Sequence, residues 1–165
     1  MATKFEDRHV LNKPADTVIK MYTDQAFFER KYKALEGWDI EVLRCEKTAK
    51  QFSITCKYSM KSSNPDIPAF AQKILGTTVN ITQTDVWDIA KKTGRLEVEI
   101  KGAPVKVTAD MTLKDEGKGA VNLFKWNASC SIPLVGGKIE ALIVKDINAK
   151  SANDIAVTNK ILADY

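Results

Sequence analysis

One histidine, His9, in 165 residues leaves no set of imidazoles for a zinc or iron centre, and the three cysteines do not make up the deficit. Cys45, Cys56 and Cys130 are widely spaced and lack any CxxC arrangement. They lie in strand-like stretches, so they are expected to be buried small apolar residues in a reducing compartment, without disulfides. Nothing near them in sequence activates a thiol. No phosphate loop or dinucleotide fingerprint occurs; Gly136-Gly137 lacks the remaining glycines and reads as a tight corner before a helix. No metal or cofactor is expected. No apolar run approaches the roughly 18 residues of a membrane span. The opening MATKFEDRH puts charges where a secretory signal needs its apolar segment, and the expectation is a cytoplasmic protein. The net charge is +4, but apart from Arg30, Lys31 and Lys33 the basic residues are scattered among acids, so nucleic acid is not an expected partner.

What remains is an ordinary globular composition, 44% hydrophobic and 28% charged, at a length suited to a single domain spanning residues 1–165. The segment from Pro133 to Tyr165 dominates it. Beyond Gly137 no proline or glycine interrupts that stretch, which allows one helix of roughly seven turns. Ile139, Leu142, Ile143, Ala149, Val157 and Ile161 share a broad face, with Asp146, Lys150 and Asn153 set among them. Val144, Ile155 and Leu162 form a thinner second stripe.

Upstream, alternation dominates. Phe5, Asp7, His9 and Leu11 share one side of a first strand whose inner face is unusually polar. Pro14 and Asp16 open a short helix, and Thr23 or Asp24 caps a second that Gly37 closes. A hairpin turning near Ala49-Lys50 follows, with Phe52, Ile54, Cys56, Tyr58 and Met60 alternating against polar neighbours. IPAFAQKILG supplies a small amphipathic helix through Ile67, Phe70, Ala71, Ile74 and Leu75. Four more strands come next: Thr77 to Ile89, Gly94 to Lys101, Val105 to Asp115 and Ala120 to Ile132.

The fold class is therefore α+β. Its order is one strand, two helices, six strands with a short helix inserted between strands 3 and 4, and a long terminal helix. Seven strands about 4.8 Å apart span roughly 29 Å, whereas a helix with its side chains is about 10–12 Å across. One helix cannot cover so wide a sheet. The sheet must curl around it, and the space left between them suits a small apolar ligand.

This order of elements resembles the helix-grip architecture of the START, polyketide cyclase and lipid-transport (SRPBCC) superfamily. The wording is closer still to one bacterial family within it. The matching pieces are ATKFEDRHVLNKPADTV, DIPAFAQKILG, QTDVW, KGAPVKVTADMTL and SIPLVGGKIEAL, which cover nearly the whole chain. The resemblance implies a curved seven-stranded antiparallel sheet wrapped around the terminal helix and a cavity between them. It carries no established activity.

The inward parity nominates a ligand-binding set: Phe52, Tyr58, Phe70, Ile74, Ile81, Gln83, Asp85, Trp87, Val98, Met111, Trp126, Ile143, Asp146, Lys150 and Asn153. Buried polar members need a partner, a water or a ligand's head group; aromatics at strand spacing are as readily plain core. Function is expected to be the binding or carriage of a lipid, acyl chain or polycyclic compound. Two alternatives stand beside it. One is a cyclase- or hydratase-like enzyme in which His9, oriented by Asp7, works with Asp85 as an acid–base pair. The other is an interaction module docking through Val144, Ile155 and Leu162. Asn64 to Gly76 reads either as a lid touching ligand or, transiently, a membrane surface, or as a packed surface helix. The sequence leaves the oligomeric state open.

Overall fold

The computed structural model describes residues 2–61, 68–75 and 77–165, with the side chains of Ile74 and Leu75 outside the description. In chain order the elements are β1 (Ala2–Leu11), α1 (Ala15–Tyr22), α2 (Gln25–Ala34), β2 (Trp38–Lys47), β3 (Gln51–Lys61), α3 (Ala69–Leu75), β4 (Thr78–Asp88), β5 (Thr93–Ile100), β6 (Val105–Glu116), β7 (Gly119–Cys130) and α4 (Gly136–Leu162). The strands form one seven-stranded sheet in the order β1-β7-β6-β5-β4-β3-β2. Every pairing is antiparallel, and β1 returns to the last strand, Phe5 standing opposite Trp126 and His9 opposite Asn122.

Alternation decides which side faces in. Along β3, Phe52, Ile54, Cys56 and Tyr58 are buried, and along β6 so are Val105, Val107, Ala109, Met111 and Leu113. The short helices close one end of the curl. The Asp24 carboxylate caps α2 by accepting from Ala26 N–H at 3.1 Å, and α1 and α2 insert Val18, Met21, Phe27 and Phe28 into the larger of two apolar clusters. The Trp87 ring stacks on Tyr22 at 5.2 Å and lies over Gly94, where a Cβ would fall 2.8 Å from the indole. The smaller cluster joins Val105, Val107, Ala128 and Cys130 to Ile139 and Ile143 of α4. Val98 and Trp126 touch both clusters, and so mark the middle of the molecule.

α4 packs mainly on β1 and β7, with α2 against its far part. Its start is pinned by a buried carboxylate: Glu140 accepts from Thr3 Oγ1–H at 2.9 Å and from Cys130 N–H at 3.0 Å. Gly136 belongs to the helix, correcting its assignment to a corner before it. A Cβ there would meet the Cys130 carbonyl at 2.7 Å, so only glycine lets the first turn press on the end of β7.

Two further expectations change. Cys45 is exposed, on the edge strand β2 whose residues face water over most of their length, while Cys56 and Cys130 are buried; all three are free thiols. Two of the three residues of the second stripe of α4 turn inward, Leu162 being fully buried in the larger cluster and Val144 packing on the smaller one, while Ile155 is half-buried.

Candidate functional site

Between the two apolar clusters the sheet and α4 stand apart, enclosing two adjoining compartments. The inner one, about 180 Å³, is mainly apolar, walled by Val79, Ile81, Val98, Ile100 and Val107 of the sheet and by Leu142, Ile143 and Ile147 of α4, with Asp146 and Lys150 also on its lining. The wider one, about 720 Å³, is ringed by Lys31, Tyr32, Leu35, Glu36 and Trp38 around the end of α2, by Met60 and Lys61 at the end of β3, and by Lys150, Asn153 and Asp154 of α4. His9, Leu96 and Phe124 line its sheet side. Tyr58, Met60, Gln83, Trp126 and Lys150 face both compartments, so the two form one connected space.

Of the residues nominated from sequence, Tyr58, Ile81, Gln83, Val98, Trp126, Ile143, Asp146, Lys150 and Asn153 come together on this wall, as does His9. Phe52, Trp87 and Met111 do not. They share the inward parity but sit in the close-packed cluster under α1 and α2, where Phe28 stacks on Phe52 at 6.0 Å and Tyr22 on Trp87. Strand alternation tells the inner face from the outer; it does not tell which part of that face a helix covers. Phe70 is 38% exposed on α3 and lines neither compartment, Ala71 being the buried one among the described side chains of that helix. Ile67 and the side chain of Ile74 lie outside the described residues.

Asp85 also stands apart. It is buried in the wall behind Gln83, and the carboxyl is pushed up to about 6 by burial, while the hydrogen bond from Gln83 Nε2 at 2.9 Å acts the other way. Gln83 Oε1 in turn accepts from Tyr58 O–H at 2.9 Å, and the Tyr58 ring stacks on Tyr32 at 4.0 Å. Burial pushes both phenols well up. Cys56 lies on the neighbouring strand, its thiol pushed up to about 12 by burial first and the Asp85 charge second, which makes it a protonated core residue rather than a nucleophile.

The proposed partnership of His9 with Asp85 is corrected by the topology. β4 stands four places from β1 in the sheet, and Asp85 lines neither compartment whereas His9 lines the wider one. The carboxylates beside His9 are Asp7 and Asp154. Asp7 Oδ2 lies 3.0 Å from His9 Nε2 and accepts from Ser151 Oγ–H at 2.6 Å. Asp154 Oδ1 lies 3.7 Å from His9 Nδ1, accepts from Thr158 at 3.3 Å, and its other oxygen pairs with Lys31 Nζ at 3.2 Å. The ring is tilted against Phe124 with centroids 4.4 Å apart. Burial is the largest influence on the imidazole and holds it below its ordinary 6.5, outweighing the pull of Asp154 and Asp7; Lys31 adds to the lowering.

Sequence reasoning missed Lys31, Asp154 and Ser151 in this cluster. The signal was present: Asp146, Lys150 and Asp154 recur every four residues on α4, the spacing that places side chains on one helix face. The rim from Leu35 to Trp38 carried none, since it is a connection between elements that only the three-dimensional fold brings over the cavity.

The fold is shared with solved structures of low identity. A protein from Thermus thermophilus superposes with a TM-score of 0.67 at 14% identity, covering 98% of this chain and 98% of its own. An aromatase/cyclase from Streptomyces sp. R1128 gives 0.69 at 10% identity over 99% of this chain and 94% of its own. Norcoclaurine synthase from Thalictrum flavum, solved with dopamine and hydroxybenzaldehyde, gives 0.64 at 12% over 100% and 88%. These likenesses establish the helix-grip architecture. No curated protein matches the chain by sequence. A family model described as "Protein of unknown function (DUF2505)" matches residues 6–162, so the chain belongs to that family.

Proposed function

We propose that this protein binds a small, largely apolar molecule, a lipid, an acyl chain or a polycyclic compound, in the space between its sheet and α4. One observation carries the reading: a connected cavity of about 180 and 720 Å³ whose smaller part is lined mainly by aliphatic side chains, with Asp146 and Lys150 at its edge, and whose wider part adds His9, Lys31, Glu36, Lys61 and Asp154. Its size falls in the range of small-molecule sites, roughly 300–1,000 Å³. The apolar end supplies the driving force, because every Å² of hydrocarbon withdrawn from water contributes about 25 cal/mol. The polar end fixes which way the guest lies. A cyclase and norcoclaurine synthase among the solved relatives are consistent with a fold that encloses such molecules. The proposal treats residues 1–165 as one ligand-binding unit and places it in the cytoplasm, where the exposed thiol of Cys45 suits reducing conditions.

Native mass spectrometry of the freshly purified chain, followed by organic extraction, tests this directly. The expected result is an adduct that disappears on extraction and an extracted protein that takes up an environment-sensitive naphthalene dye. A protein that carries no adduct and leaves the dye's emission unchanged overturns it.

A further inference from the structure

His9 is 6% exposed, and the hydrogen-bond contacts of its ring, to Asp7 Oδ2 at 3.0 Å and to Ser151 Oγ at 3.5 Å, are both made by Nε2. A carboxylate only accepts, so the 3.0 Å contact with Asp7 Oδ2 puts the proton of the neutral imidazole on Nε2. Nδ1 is then a lone pair. The group it faces is another acceptor, Asp154 Oδ1 at 3.7 Å, too far for a hydrogen bond and of the wrong kind to make one. Lys31 spends one N–H on the far oxygen of Asp154, at 3.2 Å, and an ammonium carries three. His9, Lys31 and Asp154 all line the wider compartment, whereas Asp7 and Ser151 stand behind the imidazole and hold it in place.

We infer that His9 and Lys31 form a subsite for a hydroxyl group, an alcohol or phenol, carried by the apolar ligand of the preceding subsection. A hydroxyl is the group that both donates, to His9 Nδ1, and accepts, from the Lys31 ammonium. A carboxylate has no hydrogen for Nδ1 and meets Asp154. An ammonium can donate to Nδ1 but has no lone pair for Lys31, whose charge it meets beside those of Lys61 and Lys150, with Glu36 and Asp154 the acids of the same lining. An ether or hydrocarbon leaves Nδ1 dry and unpaired, which a buried polar group tolerates poorly. Selectivity therefore falls between compounds of the same apolar body that differ only in this group.

This inference rests on the cavity reading, and the test separates the two. Binding of 2-naphthol, 2-methoxynaphthalene and 2-naphthoate to the full chain is measured by calorimetry, with His9→Phe as the variant. In the wild type the naphthol binds about tenfold tighter than the other two, and in His9→Phe its advantage over the ether shrinks to about twofold. Because the chain has one histidine, ¹⁵N-histidine labelling gives one pair of ring resonances without any mutation. They should show the Nε2–H tautomer, with Nδ1 shifting on addition of the naphthol and not of the ether. Equal affinities, a preference for the naphthoate, or an Nδ1 resonance that ignores the naphthol overturns the subsite while the cavity reading stands. If none of the three binds, the cavity reading falls and the subsite with it.

Discussion

Gln83 Nε2 donates to Asp85 Oδ1 at 2.9 Å, and that bond supports a carboxylate with only 6% of its surface exposed. Such a group is costly when charged, and its raised pKa measures the cost. From 3.8 to about 6 corresponds to on the order of 2–3 kcal/mol. The folded state keeps the proton longer than the unfolded one, so the wild type gains stability as pH falls from above 6 towards 4. Asp85→Asn keeps an acceptor for Gln83 and removes the charge. We expect it to be more stable than wild type by about 1–3 kcal/mol in urea unfolding at pH 7.5, with the difference vanishing near pH 4. A variant less stable at pH 7.5 would mean that the charge is held for a purpose the hydrogen bond does not reveal.

His9 works in the opposite direction. Its folded value lies below 6.5, so the unfolded chain takes up a proton first. The associated stability is fully present above pH 6.5 and is lost as pH falls through 6.5 towards the folded value. The two groups mask each other in the wild type. In an Asp85→Asn background the urea midpoint should fall between pH 7.5 and 5.5, and adding His9→Phe should flatten that fall.

The distinction between wall and core makes a third prediction. Val98 lines the inner compartment of about 180 Å³ and not the wider one, so Val98→Trp should fill the former and weaken uptake of a naphthalene dye while circular dichroism is unchanged. Phe52, stacked on Phe28, is core. Phe52→Leu should cost about 1–2 kcal/mol in thermal unfolding and leave dye affinity within about twofold.

These cases also mark how far the sequence could be read. The alternation of Phe52 to Met60 and Val105 to Leu113 gave the strands and their inward sides, because period two is local and one face is buried. The apolar positions of α4 gave the helix for the same reason. It could not separate Phe52 and Trp87 from Tyr58 and Ile81, which share parity but lie under α1–α2 in one case and over the cavity in the other. Nor could it pair His9 with Asp154, because that contact depends on how far the sheet curls and at what height α4 crosses β1. Asp85 shares the inward parity but is buried behind Gln83 and lines neither compartment.

Leu134 is fully solvent-exposed and holds φ at 70°, immediately before α4. An L-residue with a branched side chain is strained there by roughly 1–2 kcal/mol, and the side chain makes no buried contact to offset it. Leu134→Gly should raise the melting temperature, the relief of strain exceeding the extra entropy of the unfolded chain. A lower melting temperature would show that the leucine limits the unfolded ensemble more than it strains the folded one.

Glu140 gives the sharpest test of what keeps the cavity open. It is 2% exposed, and its two oxygens bind Thr3 of β1 and the Cys130 amide at the end of β7, so one side chain ties the first turns of α4 to two adjacent strands. Glu140→Gln can keep its carbonyl oxygen on the Cys130 N–H and donate its N–H₂ to the Thr3 hydroxyl, which turns to accept. Glu140→Ala removes both acceptors and leaves the Cys130 N–H buried without a partner, at a cost of about 2–3 kcal/mol. Glu140→Gln should stay close to wild type and Glu140→Ala should be clearly destabilised. The loss should be local as well as global: amide exchange should accelerate at Cys130 and through the first turns of α4, which carry Leu142 and Ile143 of the inner compartment. If the helix start loosens, the 180 Å³ compartment loses its fixed wall, and dye affinity should fall even where most of the protein stays folded. Unchanged exchange at Cys130 in Glu140→Ala would show instead that the Ile139 and Ile143 packing alone seats the helix.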